Sequence, residues 1–495
     1  MAAYKDKTPD WAKNSIGYIC FVDSFASSVT DPQGKKEIYT GDAYGEKITK
    51  LQWHEKDPTL HHNSGFYGGD LNGAAYASDY LKELGVDLIY LTPVFKALSN
   101  HKYDTLDHLS IDPHFGDIND FKDMVKTFHS KGIKVIIDGV FNHTSSEHEW
   151  YKKAKAGDPK YKAMYQVNKE GYFMVWNGIE TLPVLNQENA DVIEYLYSGK
   201  NSVVKYWLKQ GADGWRLDVA ERLGIKSLER IRTAIKETDE DKLLIGEVVE
   251  TYGKEWLADG LLDGVMNYVF RGTTANFMTG KIDGKNYMAE LVKMYGEYPE
   301  EKLRASWNLI STHDTNRLLY DVGNDEGLFK IAVALQFTYP GAPMIYFGDE
   351  LGTTKGQKEE ENRMGLDWEV VNSYEKYSAG SPMEWGKVNR YNSFHGFYKH
   401  MIWIRKSLSA LNDGDFIESY ASENVLAFFR SNKDSIVFVI INKGNDISVR
   451  LNIPESIISR AGQLKCIYGG NGYFKPDRNM IDFYIGGRNA YIFAG

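Results

Sequence analysis

The stretch Gly214-Trp-Arg-Leu-Asp218 is a short, mostly apolar run that carries two charged residues toward its end. If the run is a strand, the side chains of Arg216 and Asp218 share one face, because they are two residues apart. The residues before it, Val192–Gln210, have apolar side chains at helical spacing. The run after it, Leu243–Glu247, is again apolar and again ends in a carboxylate. Around this stretch the sequence therefore predicts a helix followed by two strands, each of which ends in a charged residue.

The same alternation extends along most of the chain. Several runs are nearly all apolar, as strands buried on both faces should be. Helical patterns such as Ala74–Leu84 and Ile118–Lys131 lie between them. This order predicts an α/β fold, a (β/α)₈ TIM barrel. The eight strand candidates are Ile16–Val22, Leu88–Leu91, Val135–Asp138, Gly214–Asp218, Leu243–Glu247, Gly264–Tyr268, Leu309–Thr312 and Met344–Gly348.

Two intervals interrupt the alternation. Residues 143–189 are too long for a simple loop, and we interpret them as a small domain inserted after the third strand. Residues 412–495 carry strand-like runs separated by Gly/Asn turns, which predicts a C-terminal antiparallel β-sandwich. The barrel then comprises residues 1–142 and 190–411. At 495 residues, the chain has the length that such a multidomain arrangement needs.

Composition narrows the class of ligand. The formal net charge of −10 argues against nucleic acid as a partner, since phosphate binding needs basic surface. The 33 Tyr and 11 Trp offer apolar faces with polar edges, which suits sugars. No apolar run is long enough to cross a bilayer, so we expect no membrane partner. The first residues lack the apolar core of a signal peptide, which predicts a cytoplasmic protein, or a secreted one whose leader was removed.

Polar residues stand where the apolar strands end, which is where barrel enzymes carry their chemistry. One Asp in such a place is more often a helix cap than a catalytic group. Four strand ends that deliver carboxylates to one face are harder to explain structurally, because buried charges are costly unless paired or used. The residues are Asp138 at the end of strand three, Asn142 and His143 after it, Arg216 and Asp218 on strand four, Glu247 on strand five, and His313 and Asp314 after strand seven.

These motifs resemble the four sequence regions of the α-amylase family, glycoside hydrolase family 13, in the family's order. Two further stretches, Gly68-Gly-Asp-Leu-Asn72 and Ser99-Asn-His-Lys-Tyr103, resemble its neopullulanase, cyclomaltodextrinase and maltogenic amylase branch. The motifs of the four regions are Asp138-Gly-Val-Phe-Asn-His143, Gly214-Trp-Arg-Leu-Asp218, Gly246-Glu247 and His313-Asp314, and Leu182-Pro-Val-Leu-Asn186 resembles a fifth region.

The resemblance implies a retaining glycoside hydrolase with three catalytic carboxylates. Asp218 would be the nucleophile, Glu247 the acid/base and Asp314 the carboxylate that grips sugar hydroxyls. Retention of configuration needs two carboxyl groups about 5–5.5 Å apart across the scissile bond. Arg216 would keep the nucleophile ionised.

Substrate contacts are carried over in the same way. His143 and His313 would hydrogen-bond the sugar as neutral side chains, and Tyr103 would stack under it, with Asp138 and Asn142 in the same site. In the loop after strand eight, Glu359 and Arg363 resemble an acid and an arginine that hold the next sugar. The family more usually has Asp at the position of Glu359.

The substrate preference stays open between two predictions. We expect an α-amylase that cleaves internal α-1,4 bonds of starch and maltodextrins, because a cleft that no N-terminal domain narrows can take longer chains. The residues after Asp218 and Glu247 depart from the branch pattern and leave the substrate preference open. The alternative is a cyclomaltodextrinase- or neopullulanase-type hydrolase, or a transglycosylase, acting on cyclodextrins, pullulan and short maltodextrins. The branch's N-terminal domain, which builds its dimer, is missing, which predicts a monomer with an open cleft.

Two other functional classes fit poorly. A binding protein derived from this family should have lost a strand-end carboxylate, and all three are present. An enzyme for phosphorylated sugars needs a phosphate site after strand eight, where Gly348-Asp-Glu350 would repel one.

No cofactor is expected, and no metal ligand is predicted. Relatives often bind calcium in the first loop, but here only Asp31 and Asp70 remain as carboxylate ligands there. Because Ca²⁺ prefers 6–8 oxygen ligands, we expect this site to be absent or altered.

Overall fold

Eight parallel strands form a closed barrel in the computed structural model, which describes residues 7–28, 38–51, 53, 62–249, 253–354, 359–366 and 385–495, without the side chains of 359, 360 and 385–392. The first strand pairs with both the second and the eighth, so Gly17 lies beside Leu88 and Met344 and closes the ring. The fold class predicted from the sequence is confirmed. The barrel strands are Gly17–Cys20, Leu88–Leu91, Lys134–Gly139, Gly214–Leu217, Leu243–Val248, Gly264–Asn267, Trp307–Asn308 and Ala342–Tyr346.

The barrel strands are buried almost throughout, because side chains fill the interior on one face and helices cover the other. This is why their sequences are apolar without alternation. The α-helices of the barrel and its loops are Val22–Phe25, Leu71–Tyr76, Ser78–Leu84, Ile118–Ser130, Ala190–Ile193, Val203–Lys209, Ala220–Leu223, Ile225–Thr238, Tyr268–Met278, Gly284–Glu297, Glu300–Ala305, Leu318–Asp321, Glu326–Thr338, Glu359–Asn362, Trp385–Ser407 and Ser409–Asp413. Short 3₁₀ helices occupy Asp10–Asn14, Lys254–Leu257 and Asp349–Leu351, and a π-helical turn occupies Glu194–Ser198.

The predicted seventh strand was wrong in position. Leu309–Thr312 is buried, but the strand pairing of this segment is confined to Trp307–Asn308. Beyond it the chain turns, with the Thr312 N–H donating to Thr315 Oγ1 at 3.1 Å. The segment is apolar because it is buried in the barrel mouth. Its composition therefore resembles that of a buried strand.

Two predicted helices are also interrupted. The pattern Ala74–Leu84 contains two helices that meet at Ala77. The pattern Val192–Gln210 contains a π-helical turn, Glu194–Ser198, which ends at the extended Gly199 before a new helix starts at Val203. Apolar spacing predicted the buried face in both cases but not the breaks.

The segment inserted after the third strand has little regular structure. Its helices are Glu149–Lys155 and Pro159–Lys162, followed by a 3₁₀ turn at Trp176–Gly178. Isolated bridges fold it back toward the barrel, including His143 with Val184. The loops beside it carry the short strands Asp42–Ala43, Glu46–Lys47, Thr49–Lys50, Gly65–Phe66, Phe95–Ala97 and Thr105–Ile111.

The C-terminal region is an antiparallel β-structure with its own core, as predicted. A six-stranded sheet faces a two-stranded one made of Ile447–Asn452 and Met480–Ile485. A short helix, Glu455–Ile458, lies between strands. The six-stranded sheet contains, in spatial order, Asp415–Ala421, Val425–Ser431, Ile436–Asn442, Asn489–Ala494, Leu464–Tyr468 and Tyr473–Phe474.

Two buried arginines meet at the end of one barrel helix, and one of them, Arg430, joins the C-terminal region to the barrel. Arg405 donates to the carbonyls of Phe337 and Tyr339 at 3.1 and 3.0 Å. Arg430, on a strand of the C-terminal sheet, donates to the Thr338 carbonyl at 2.7 Å. These carbonyls end the helix Glu326–Thr338, so the guanidiniums satisfy acceptors that the helix itself leaves unpaired.

Cys20 and Cys466 are buried and form no disulfide. Within the described ranges, no helix combines the length and apolarity needed to cross a membrane.

Candidate active site

Arg216 is the centre of the charged cluster at the C-terminal end of the barrel. Its side chain is fully buried, and its Nη1 lies 2.9 Å from Asp138 Oδ2 and 3.1 Å from Asp218 Oδ1. Its Nη2 lies 2.9 Å from Glu247 Oε1. Strands three, four and five thus bring their terminal carboxylates to one guanidinium, as their sequence positions predicted.

Glu247 is held from several directions. Its Oε2 accepts a hydrogen bond from the Val219 N–H at 2.9 Å, and its Oε1 accepts one from the Tyr268 hydroxyl at 3.4 Å. Val219 has a left-handed backbone, with φ of 39°, which is unusual for a β-branched residue. That conformation directs its N–H at the carboxylate. A Cβ on Gly246, which precedes Glu247, would lie 2.4 Å from Leu262 Cδ1 and 3.0 Å from Ala220 Cβ, so a larger residue there would require its neighbours to shift.

Asp314 lies across the mouth, on the loop after strand seven. Its Oδ2 is 3.0 Å from His313 Nε2, and its Oδ1 accepts from Arg363 Nη2 at 3.0 Å. Arg363 also donates through Nε to the His313 carbonyl at 3.0 Å. The arginine predicted to hold a neighbouring sugar therefore contacts the third carboxylate itself.

Tyr103 forms an aromatic wall of the site together with His313. Their rings are stacked 5.8 Å apart at an interplanar angle of 6°, and the Tyr103 hydroxyl lies 2.6 Å from His313 Nε2. The hydroxyl also donates to Asp138 Oδ2 at 3.1 Å. Asp138 is 1% exposed and is engaged by Tyr90, Tyr103 and Arg216. The structure thus places Asp138 behind the site rather than on its surface.

His143 and Asn142 lie beside Tyr103, where the inserted segment begins. His143 Nε2 donates to the Tyr103 carbonyl at 3.2 Å, and the Asn142 amide is 3.2 Å from its Nδ1. The Trp176 ring lies 5.7 Å from the His143 ring. Sequence reasoning missed Trp176, because the inserted domain has no periodic pattern to mark which of its aromatic residues face the barrel.

The cluster carries more carboxylates than cations, and this changes the pKa values of its carboxyl groups. Burial and the neighbouring negative charges raise the pKa of both Asp218 and Glu247, against the opposing effect of Arg216. The pair therefore retains a shared proton more readily than two isolated carboxyls. Burial also favours a higher pKa for Asp314, but His313, Arg363 and Arg216 outweigh it and lower that pKa. Burial lowers the pKa of His143 to about 4, so its ring is neutral at pH 7.

Two predicted features fall partly outside the described residues. Glu359 begins the short helix Glu359–Asn362, but its side chain is not among those described, and Asp31 lies outside the described residues. The Asp70 carboxylate caps a helix through the Gly73 N–H and accepts from Ser28. In the described part of the chain, no cluster of three potential metal ligands is present.

A buried arginine, two adjoining carboxyls that share a proton and a third, ionised carboxylate can together protonate a leaving group and stabilise developing positive charge.

The family described as the α-amylase catalytic domain matches residues 19–410. Neopullulanase 2 of Thermoactinomyces vulgaris is 35% identical over 463 residues, covering 91% of this chain and 73% of that protein. A cyclomaltodextrinase of a Bacillus species is 34% identical over 451 residues, covering 88% and 73%.

Among solved structures, the cyclic α-maltosyl-(1→6)-maltose hydrolase of Arthrobacter globiformis, in complex with that sugar, aligns with a TM-score of 0.79 at 25% identity. The alignment covers 99% of this chain and 100% of that chain. The sequence comparisons and the structural comparison thus point to the same family over almost the whole length of the chain. The chain belongs to the α-amylase family, glycoside hydrolase family 13, and is an α-glucan hydrolase.

Proposed function

We propose that the protein is a retaining hydrolase of the cyclomaltodextrinase and neopullulanase type. The support for this choice over a starch-degrading α-amylase is that relatives at 35% and 34% identity are a neopullulanase and a cyclomaltodextrinase. The preference for starch rested on an expected open cleft, and the departures after Asp218 and Glu247 are short compared with the 463 and 451 residues of these alignments. Cyclodextrins, pullulan and short maltodextrins are therefore the proposed substrates.

The observation that carries the proposed mechanism is that Arg216 contacts Asp218 with Nη1 and Glu247 with Nη2. Two carboxyls on the two arms of one guanidinium face the same small volume, as a retaining mechanism requires. Glu247 gives its proton to the glycosidic oxygen while Asp218 attacks the anomeric carbon. The leaving sugar departs with that proton, and a covalent glycosyl–enzyme ester remains.

Water completes the cycle. Glu247, now a carboxylate, removes a proton from the incoming water, whose oxygen attacks the anomeric carbon and releases Asp218. Asp314, ionised beside His313 and Arg363, binds sugar hydroxyls and favours the positively charged transition state. Tyr103 supplies the apolar face on which the sugar ring stacks. A sugar hydroxyl in place of water would give transglycosylation by the same steps.

The test is the ratio of initial rates on β-cyclodextrin, pullulan and soluble starch with one enzyme preparation. We expect the highest kcat/KM on β-cyclodextrin. Faster turnover of starch would contradict the proposed specificity and favour the α-amylase alternative. The E247Q variant serves as the control, since loss of all three activities ties them to this site.

We further propose that the reaction needs no metal cofactor and that the protein is a monomer. Asp70, one of the two carboxylates considered for calcium, is engaged by Gly73 and Ser28. Dialysis against EDTA is expected to leave the initial rate and the Tm unchanged, and a fall in either would contradict the first proposal. Light scattering during gel filtration tests the second, because a mass near twice 56.3 kDa would contradict it.

A further inference from the structure

A second fully buried ion pair lies behind the active site, outside the motifs that resemble the family. Arg317, in the loop after strand seven, donates through Nη1 to Asp349 Oδ1 at 2.8 Å, and both side chains are about 1% exposed or less. Asp349 follows strand eight. The pair therefore links the loop that carries His313 and Asp314 to the loop that carries Arg363.

The second arm of Arg317 holds a single carbonyl group. Its Nη2 donates to the Asn362 carbonyl at 3.2 Å, and the Tyr346 hydroxyl donates to the same oxygen at 2.7 Å. The guanidinium also lies 4.3 Å from the centre of the Tyr346 ring. Asn362 is 2% exposed. Planar contact and two donors fix this carbonyl more firmly than one hydrogen bond could.

The residue after that carbonyl is Arg363, whose two arms end on the Asp314 carboxylate and on the His313 carbonyl. We infer that Arg317 and Asp349 form a positioning pair, which holds Arg363 against Asp314 and so sets the orientation of the third carboxylate. This inference rests on the proposed role of Asp314. Neither Arg317 nor Asp349 touches the reacting atoms in this scheme; both act through Arg363.

The competing explanation is that the pair only stabilises the barrel. Replacing a buried ion pair by apolar side chains is often neutral for stability, so a structural role alone does not explain two buried charges. The chain offers a matched control at the other end of the barrel. Arg232 and Asp263 are also buried and also 2.8 Å apart, but Asp263 precedes strand six rather than following a strand.

The experiment compares R317M, R363M and the double variant R317M/R363M, with R232M as the control. We measure kcat and KM on a chromogenic maltoside, together with the Tm. We expect R317M to lower kcat/KM about 30- to 100-fold, since misplacing a catalytic group by roughly 1 Å costs that much. The double variant should match R363M to within about twofold, because coupled residues are not additive. R232M should lower the Tm with kcat/KM unchanged.

Two milder variants keep the test valid if R317M does not fold. Y346F removes one donor to the Asn362 carbonyl and leaves the ion pair, and R317K keeps a charge for Asp349 but loses the second arm. Each should lower kcat/KM relative to the wild type with an unchanged pH optimum, and each should add no further loss when combined with R363M.

Additive losses in R317M and R363M, or an equal loss of kcat/KM in R232M, would overturn the positioning role. D314N is measured alongside. Full activity in D314N would overturn the proposed function itself, whereas inactive D314N with additive arginine variants overturns only the positioning role.

Discussion

Arg216 and Arg405 are both fully buried, yet they are satisfied in opposite ways. Arg216, at the mouth of the barrel, contacts three carboxylates. Arg405, beneath the C-terminal domain, donates to three backbone carbonyls, those of Phe337, Tyr339 and Gly341. Carboxylates raise the pKa of Arg216 well above its usual value against the effect of burial, whereas burial lowers the pKa of Arg405.

This difference distinguishes a buried arginine that serves catalysis from one that stabilises the fold. Buried carbonyls at a helix end need hydrogen-bond donors. A guanidinium supplies these donors without adding negative charge. A buried excess of carboxylates has no such structural use and costs free energy unless it does something else. Residues that overcrowd a site with like charges are therefore better markers of function than burial alone.

The largest effect is expected for R216M. Removing the guanidinium leaves Asp218 and Glu247 without their shared cation, so the pKa of both should rise further and less of the nucleophile should be ionised. We expect kcat/KM on β-cyclodextrin to fall by about 10³–10⁴-fold, as for loss of a preorganised charge in an active site. A fall of less than about tenfold would mean that the cluster is not catalytic.

R405M should show the opposite behaviour. Three carbonyls lose a charged donor, so the free energy of unfolding, measured with guanidinium chloride, should fall by about 3 kcal/mol. The kcat/KM of the folded enzyme at low temperature should equal that of the wild type. A selective loss of kcat/KM without loss of stability would remove the distinction between the two arginines.

W176A should change binding more than chemistry. The ring next to His143 lies at the edge of the site, and an aromatic contact of this kind is worth about 0.5–1.5 kcal/mol. We expect KM for β-cyclodextrin to rise up to about tenfold with kcat nearly unchanged. Tyr172, whose side chain is 71% exposed on the same inserted domain, provides the control through Y172A. Equal effects of the two variants would contradict a specific role for Trp176.

The smallest predicted effect concerns pH. The Tyr268 hydroxyl donates to the Glu247 carboxylate and so stabilises its charged form. In Y268F the pKa of Glu247 should rise further, which moves the alkaline limb of kcat/KM upward by about 0.5 pH unit. A shift in the opposite direction, or an acid limb that moves instead, would show that the hydroxyl serves another carboxyl.

Sequence patterns located the strand-end groups well because barrel strands expose their charged residues only at one end. Asp138, Arg216, Asp218 and Glu247 all meet where their strands end. The seventh strand was misplaced because buried residues beyond a strand are as apolar as the strand itself. Asp314 still reaches the site, since the turn at Thr312 directs it there.

Other features leave no trace in a single sequence. Arg317 lies three residues after Asp314, and Asp349 belongs to the run Gly348-Asp-Glu350 after strand eight, but nothing in their spacing predicts that they meet. Trp176 belongs to a segment whose shape depends on isolated bridges rather than on regular hydrogen bonding. The left-handed backbone of Val219 contradicts the preference of valine, so local propensity would predict the wrong conformation there.

The closure of the ring also determines when in folding an active enzyme can first exist. Tyr103 and His313 are 210 residues apart along the chain but stack in the finished site. Gly17 gains its second partner strand only when residues near Met344 have been made and docked. Such long-range pairing is slow, and intermediates that lack it expose unpaired strand edges. Recovery of activity during refolding should therefore lag behind recovery of helical signal, so hydrolysis itself reports the last step of assembly.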